Sequence, residues 1–364
     1  MKKTLSALAC LLASLLSTPL HAGELQTQLD HALEDKTIPA MAALLIRHGV
    51  VVEQAIGGVR ASGSSEPARA GDVWNIGSDG KAMTVTLIAR LVERGVLSWQ
   101  APLSAMLPEL AAGMRPEYCN VTLVDLLAHR AGLPANPDEN WINSTYTDPR
   151  PLPALRQAYA RLALSDAPVG PPQQDFSYSN SGAVIAAAIA ERATGKSFEE
   201  LIQAEVFGPL RMTVRYAPTG PGQTQGHKDG KPITGLKAGN PLVMAPDGEM
   251  IMSIEDWAKF ALDQMAGEHG KGKLLQTSTY VFLHTPQGQT NAALGWGVMQ
   301  FPPQSPQRVL THLGSNGYWH ALIALAPGSE DGILIAANAG EGSGAQAQQS
   351  ALAKAIMSSF TAPK

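Results

Sequence analysis

The chain has 364 residues, 45% of them hydrophobic and 16% charged. That is the composition of an ordinary globular protein and excludes the disordered, collagen-like and fibrous classes. The formal net charge of −4 becomes more negative once two leader lysines are set aside, so neither nucleic acid nor an anionic membrane is the expected partner.

Met1 to Ala22 carries Lys2 and Lys3, an apolar run from Leu5 to Leu16, and Pro19-Leu20-His21-Ala22 before Gly23. This is the layout of a secretory signal peptide with cleavage expected after Ala22, and it predicts a secreted or periplasmic protein. The run is shorter than the roughly 20 residues a membrane helix needs, and no later stretch reaches that length, so no membrane span is expected. Removal of Cys10 with the leader leaves Cys119 without a disulfide partner, and stability must then come from packing.

A short amphipathic helix is expected over 25–33. Met41 to Val59 reads as two apolar strands turning at His48-Gly49, a hairpin. From Ser78 the apolar spacing becomes helical, with Met83, Leu87, Leu91 and Leu97 among Arg90, Glu93 and Arg94, and Gly95 as a stop signal. Between about 122 and 265, helical patterns (121–128, 152–164, 183–194, 198–206, 254–265) alternate with loops rich in Pro, Gly and Asn. The loops 135–151 and 218–246 are long enough to form lids or substrate walls, with Trp141, Asn143, Tyr146 and 227–237 as wall candidates. Strand-like runs return at 293–301, 309–313, 321–326 and 332–337, before a last helix over 346–360. Strands at both ends predict a single α/β (α+β) unit over 23–364. Its α/β lobe comes from roughly 23–75 and 285–364, with a mainly helical lobe, roughly 76–284, inserted between them.

Ser78-Asp79-Gly80-Lys81 sets a hydroxyl and an amine three residues apart, adjacent on one helix face. A serine is a poor nucleophile until its proton is taken, and a lysine withdrawn from water can take it. S-x-x-K arises by chance about once in a chain of this size. Here, however, Ser78 is the one serine followed three residues on by lysine, and Gly80 breaks helix propensity beside it. Tyr178-Ser179-Asn180 offers a phenol to relay a proton and an amide to bind a carbonyl or the lysine; a turn capped by Ser or Asn explains the tripeptide equally well. His312-Leu313-Gly314-Ser315 closes a strand-like run. The Ser315 N–H there can face an oxyanion, with Gly314 allowing a substrate backbone to approach.

These motifs, in this order, resemble the serine β-lactamase and penicillin-binding protein superfamily, specifically its class C β-lactamase-related branch of DD-peptidases, D-aminopeptidases and esterases. The resemblance extends over most of the chain: Thr122 to Pro134 is similar to the segment "LLtHtSGLp". Phe176 to Gly195 with Phe207 to Met212 is similar to "YSN...E..tGk...PLGM", and Glu249 to Phe260 to "GGl.St..DlarF". It implies an antiparallel sheet flanked by helices, Ser78 as acylated nucleophile, Lys81 as general base, Tyr178 as proton relay and Asn180 as substrate contact. It also implies an oxyanion hole made by the Ser78 and Ser315 N–H groups. Two positions depart from the pattern: Asp79-Gly80 replaces apolar or hydroxyl residues, and His312-Leu313-Gly314 stands where the β-lactamases have Lys-Thr-Gly. Loss of that lysine removes a permanent cation for a β-lactam carboxylate, since histidine is mostly neutral near pH 7. The expected function is therefore an exported hydrolase acting on an ester or a D-amino-acid-containing peptide. A class C-like β-lactamase and a penicillin-binding sensor that acylates without turnover are the alternatives. The chain has no H-E-x-x-H, C-x-x-C or G-x-S-x-G, so no metal and no cofactor is expected. The expected partner is a small-molecule or peptide substrate, and no protein partner is implied.

Overall fold

The computed structural model describes residues 23–220, 222–301 and 307–360; the proposed leader, with Cys10, lies outside the described residues. The hairpin near the start is formed by β1 (Ala40–Arg47) and β2 (Val50–Gly58), joined through His48 and Gly49, both at positive φ. Two minor ladders follow: β3 (Val73–Asn75) pairs with β6 (Ile251–Ser253), and β4 (His227–Lys228) with β5 (Lys231–Pro232). The last strands are β7 (Gly297–Gln300), β8 (Arg308–Ser315), β9 (His320–Ala326) and β10 (Asp331–Ala337). Strands from both ends of the chain join in one antiparallel sheet of order β2-β1-β10-β9-β8-β7, as the resemblance implied.

Both faces of the central strands are covered, so β1 reads as a continuous apolar run while still alternating by side. Ala40, Ala42, Leu44 and Ile46 join the core shared with the helical middle. Met41, Ala43 and Leu45 join a second core with Leu25 and Leu29 of the first helix (Glu24–Ala32) and Leu352 and Ile356 of the last (Ala345–Met357). The middle contains the helices Gly80–Glu93, Leu152–Ser165, Ser181–Thr194 and Ile254–Glu268. The expected helix over 198–206 is interrupted: Phe198–Ile202 is α-helical and Gln203–Phe207 a π-helical turn. Among the described residues, no helix is long and apolar enough to cross a membrane.

β7 pairs with β8 only over 308–311. Among the described residues the outer edge of β8 therefore has no neighbouring strand from His312 to Ser315, and that stretch faces the entrance to the Gly80–Glu93 helix. This is where the candidate residues meet.

Candidate active site

Ser78 sits in a single 3-10 turn, Gly77–Asp79, that runs directly into the helix starting at Gly80. Gly80 has ordinary helical angles, so its lack of a side chain answers to space and not to backbone conformation: a Cβ there would lie 3.1 Å from the Met250 sulfur. Gly77 is different, with φ +51° and a Cβ position only 2.4 Å from the Ser315 nitrogen. Gly314 presses on the same turn, and a Cβ there would lie 1.9 Å from the Ile76 carbonyl oxygen. The glycine of the His312-Leu313-Gly314 run thus admits the chain's own backbone, where the sequence suggested that of a substrate. Its consequence is to seat the Ser315 nitrogen against the turn that holds Ser78.

Lys81, on the first turn of the helix, is buried at 3% exposure, and its Nζ donates to Ser78 Oγ at 2.9 Å and to the Asp247 carbonyl at 2.8 Å. The second bond fixes the amine from outside its own helix. Residues Ala245–Gly248 form a short helical turn against the Ser78 helix, where Thr84 Oγ1 also donates to the Pro246 carbonyl at 2.7 Å. Gly248 permits this contact, since its Cβ would lie 2.9 Å from the Ser78 nitrogen.

Tyr178 comes from the loop before the helix Ser181–Thr194, and its hydroxyl donates to Ser78 Oγ at 2.7 Å. Its ring lies on His129, with centroids 4.6 Å apart, and the Lys81 Nζ is 5.1 Å from the ring centroid. Burial pushes the His129 imidazole down to about 3, so it is neutral, and its Nδ1 accepts from the Ser179 N–H. His129 is therefore the platform under Tyr178. Ser179, not Asn180, bonds the start of the next helix: its Oγ accepts from Ser181 N–H and donates to the Pro134 carbonyl. Asn180 Nδ2 donates to Asn136 Oδ1 at 3.0 Å, and no side-chain cap is made by Asn180.

His312 lies at the edge of the same group, with Nδ1 2.9 Å from the Asp79 carboxylate. A cleft of about 530 Å³ opens beside it, walled by Phe176, Tyr178, Ala292, Trp296, His312 and Leu313 among others. The wall candidates from the long loops serve elsewhere. Trp141 stacks edge-on against Tyr159, Tyr146 donates to the Gly239 carbonyl, and the buried His227 accepts from the Ser62 N–H through Nε2. A larger cleft of about 680 Å³ lies between Leu313–Ser315 and the start of the last helix; neither cleft is lined by Ser78 or Lys81, but the smaller one is lined by Tyr178 and His312 and the larger by neither. Chemistry, not size, selects the smaller one.

Two buried acids behind the site were not singled out by the sequence, although Glu249 opens the family-like segment 249–260. Asp247 and Glu249 are 3% and 0% exposed, and burial pushes their carboxyls up to about 6 and about 7 respectively. Glu249 accepts from the Asn240 N–H at 2.8 Å, with Asn316 Nδ2 at 3.5 Å, and so ties the segment holding Lys81 to the residue after Ser315. An acid whose folded value exceeds its ordinary one is fully tolerated while both states are protonated. It costs stability as the unfolded state ionises first, so stability falls as pH rises from about 4.5 to about 7 and then levels off. Glu249→Gln is accordingly expected to gain on the order of 3 kcal/mol relative to the native protein between pH 5 and pH 8. Denaturant titrations at the two pH values read this directly; an equal difference at both would show that Glu249 ionises as freely in the fold as outside it.

A family model described as Beta-lactamase matches residues 25–356. Protein flp of Staphylococcus aureus (strain COL) is 24% identical over 332 residues, covering 86% of this chain and 62% of flp. Esterase EstB of Burkholderia gladioli is 28% identical over 214 residues, covering 52% of this chain and 50% of EstB. The chain thus spans about three fifths of the length of the flp proteins it matches. Among solved structures, the octameric penicillin-binding protein homologue from Pyrococcus abyssi aligns with TM-score 0.71 at 21% identity, covering 91% of this chain and 78% of its own. SurE with D-Leu aligns with TM-score 0.72 at 19% identity, covering 93% and 77%. At these identities the structural likeness shows the fold.

Proposed function

Because the chain belongs to the Beta-lactamase family, we propose that it is a serine hydrolase that forms an acyl-enzyme at Ser78 and acts on an ester or a D-amino-acid-containing peptide. The observation that carries this reading is the convergence on one oxygen: Lys81 Nζ at 2.9 Å and Tyr178 Oη at 2.7 Å from Ser78 Oγ. In the acylation step the Lys81 amine takes the Ser78 proton as Oγ bonds to the substrate carbonyl carbon. The tetrahedral oxyanion is received by the Ser78 and Ser315 N–H groups, and the bond to the leaving group breaks as Tyr178 delivers a proton to it. Lys81 returns a proton to Tyr178, and a water activated by the same pair then releases the acid and restores Ser78. The His312 side chain, in place of a lysine, supports ester or peptide turnover over β-lactam hydrolysis. The reading includes export, on the leader-like residues 1–22.

The test is a panel of p-nitrophenyl esters, D-alanyl peptides and nitrocefin, with mass spectrometry of the quenched protein. Ester or D-peptide turnover and an acyl adduct on the Ser78 peptide are expected. Sustained nitrocefin turnover in preference to both would make the protein a β-lactamase. Persistent labelling by a fluorescent penicillin without turnover of any panel member would make it a sensor.

A further inference from the structure

Both departures from the family pattern, Asp79 and His312, are 233 positions apart in the chain and meet in the structure. Asp79 is 2% exposed, and among the described residues its oxygens have no hydrogen-bond partner beyond the contact of Oδ1 with His312 Nδ1 at 2.9 Å. The same Nδ1 is 3.1 Å from the Leu313 carbonyl, which can only accept. The ring proton therefore belongs on Nδ1, leaving Nε2 for the cleft that His312 lines. Burial raises the Asp79 carboxyl above its ordinary value, opposed by its contact with His312; the pair carries one negative charge when it holds one proton and none when it holds two.

We propose that Asp79 is a positioning and specificity-determining residue: by holding His312 through Nδ1 and cancelling its charge, it makes the cleft beside Tyr178 select leaving groups that carry no carboxylate. The proposal rests on Ser78 as the acylated residue. The cleft agrees in its other walls. Phe176, Ala292, Trp296 and Leu313 are apolar, and the remaining lining residues Thr290, Asn291, Gly297 and Thr311 are uncharged. Of the titratable groups that face the pair, His129 is held neutral by burial and Tyr178 is a phenol, while Lys81 is bonded to Ser78 and the Asp247 carbonyl. A leaving-group carboxylate would thus give up its hydration for an apolar wall and a pair without net positive charge.

The experiment compares the acetyl esters of 3-hydroxybenzoic acid and 3-hydroxybenzamide, which differ only in the charge of the leaving group, at pH 5.5 and pH 8. For the native protein kcat/KM is expected to favour the amide at both pH values. In Asp79→Asn the ring loses its carboxylate partner, and the acid-to-amide ratio should rise by about fivefold or more at pH 5.5 and stay low at pH 8. A residue with a merely structural role would lower both activities together and leave the ratio in place. Titration with benzoate and benzamide, followed by NMR, supplies a readout that needs no turnover and, in the native protein, no variant. Benzoate binding no tighter than benzamide at pH 5.5 is expected. A native preference for the carboxylate in binding, or an unchanged ratio in Asp79→Asn, overturns the proposal. Equal turnover by Ser78→Ala would instead overturn the acyl-enzyme reading on which it rests.

Discussion

Ser78→Ala is expected to lower kcat/KM on the best panel substrate by at least about a thousandfold, and Lys81→Met by a comparable factor, because each removes an obligatory participant in one proton transfer. The double variant should be no slower than the worse single one, since the two residues act as a unit. Lys81→Arg separates the roles that lysine could have. A guanidinium preserves the positive charge beside Ser78 but does not give up its proton near neutrality, so it cannot serve as the base. If Lys81 only stabilises charge, Arg restores activity; if it takes the Ser78 proton, Arg is as slow as Met. Ser78→Ala leaves the fold intact in physical terms: Ser78 is partly exposed, and Lys81 keeps its bond to the Asp247 carbonyl when Oγ is removed. A thermal midpoint close to that of the native protein is expected for this variant. Native-like turnover by Ser78→Ala would place the nucleophile elsewhere.

What the sequence made legible were features with short range or strong periodicity. Ser78 and Lys81 are neighbours on a helix entrance; their spacing alone is at chance level, and the family-like segments around them made the pairing legible. The strands at the two chain ends announced themselves by apolar runs, and they do share one sheet. The rest depends on contacts that leave no local mark. The Asp247 carbonyl that holds Lys81 is a backbone atom, 166 positions away, which any residue type could supply. The close passage of Ile76, Gly77 and Gly314 shows in the sequence only as glycines among 35. Asp79 and His312 were each visible as departures from a family pattern, but their compensation became apparent only once β8 was laid against the Gly77–Asp79 turn. His129 was identifiable as part of a family-like segment, whereas its place under Tyr178 follows from its buried, neutral ring.

Arg156→Met is expected to be the most destabilising of the simple side-chain replacements, because Arg156 is an ion wholly inside the helical middle. Its guanidinium is 0% exposed and donates to Glu191 at 2.6 Å, to Glu199 at 2.5 Å and to the Leu242 and Val243 carbonyls at 2.9 and 3.2 Å. Three helices, Leu152–Ser165, Ser181–Thr194 and Phe198–Ile202, are thereby joined to the turn at Leu242–Met244. Removing one member of such a group costs about 3 to 5 kcal/mol, mostly because the buried Glu191 is left without its cation. The thermal midpoint should fall by about 5 to 10 °C. Adding Glu191→Gln should recover part of that loss, since a neutral amide has less need of a partner, and this rescue distinguishes stranded charge from lost packing. The effect should also reach the active site by a defined route. The turn at Leu242–Met244 leads directly into Ala245–Gly248, whose Asp247 carbonyl holds Lys81. At a temperature where Arg156→Met remains folded, kcat should therefore fall several-fold with KM little changed, as the amine loses the anchor that aims it at Ser78. An unaltered kcat in a folded but destabilised variant would mean that the Ala245–Gly248 turn is held in register by its own packing against the Ser78 helix, with Arg156 serving stability alone.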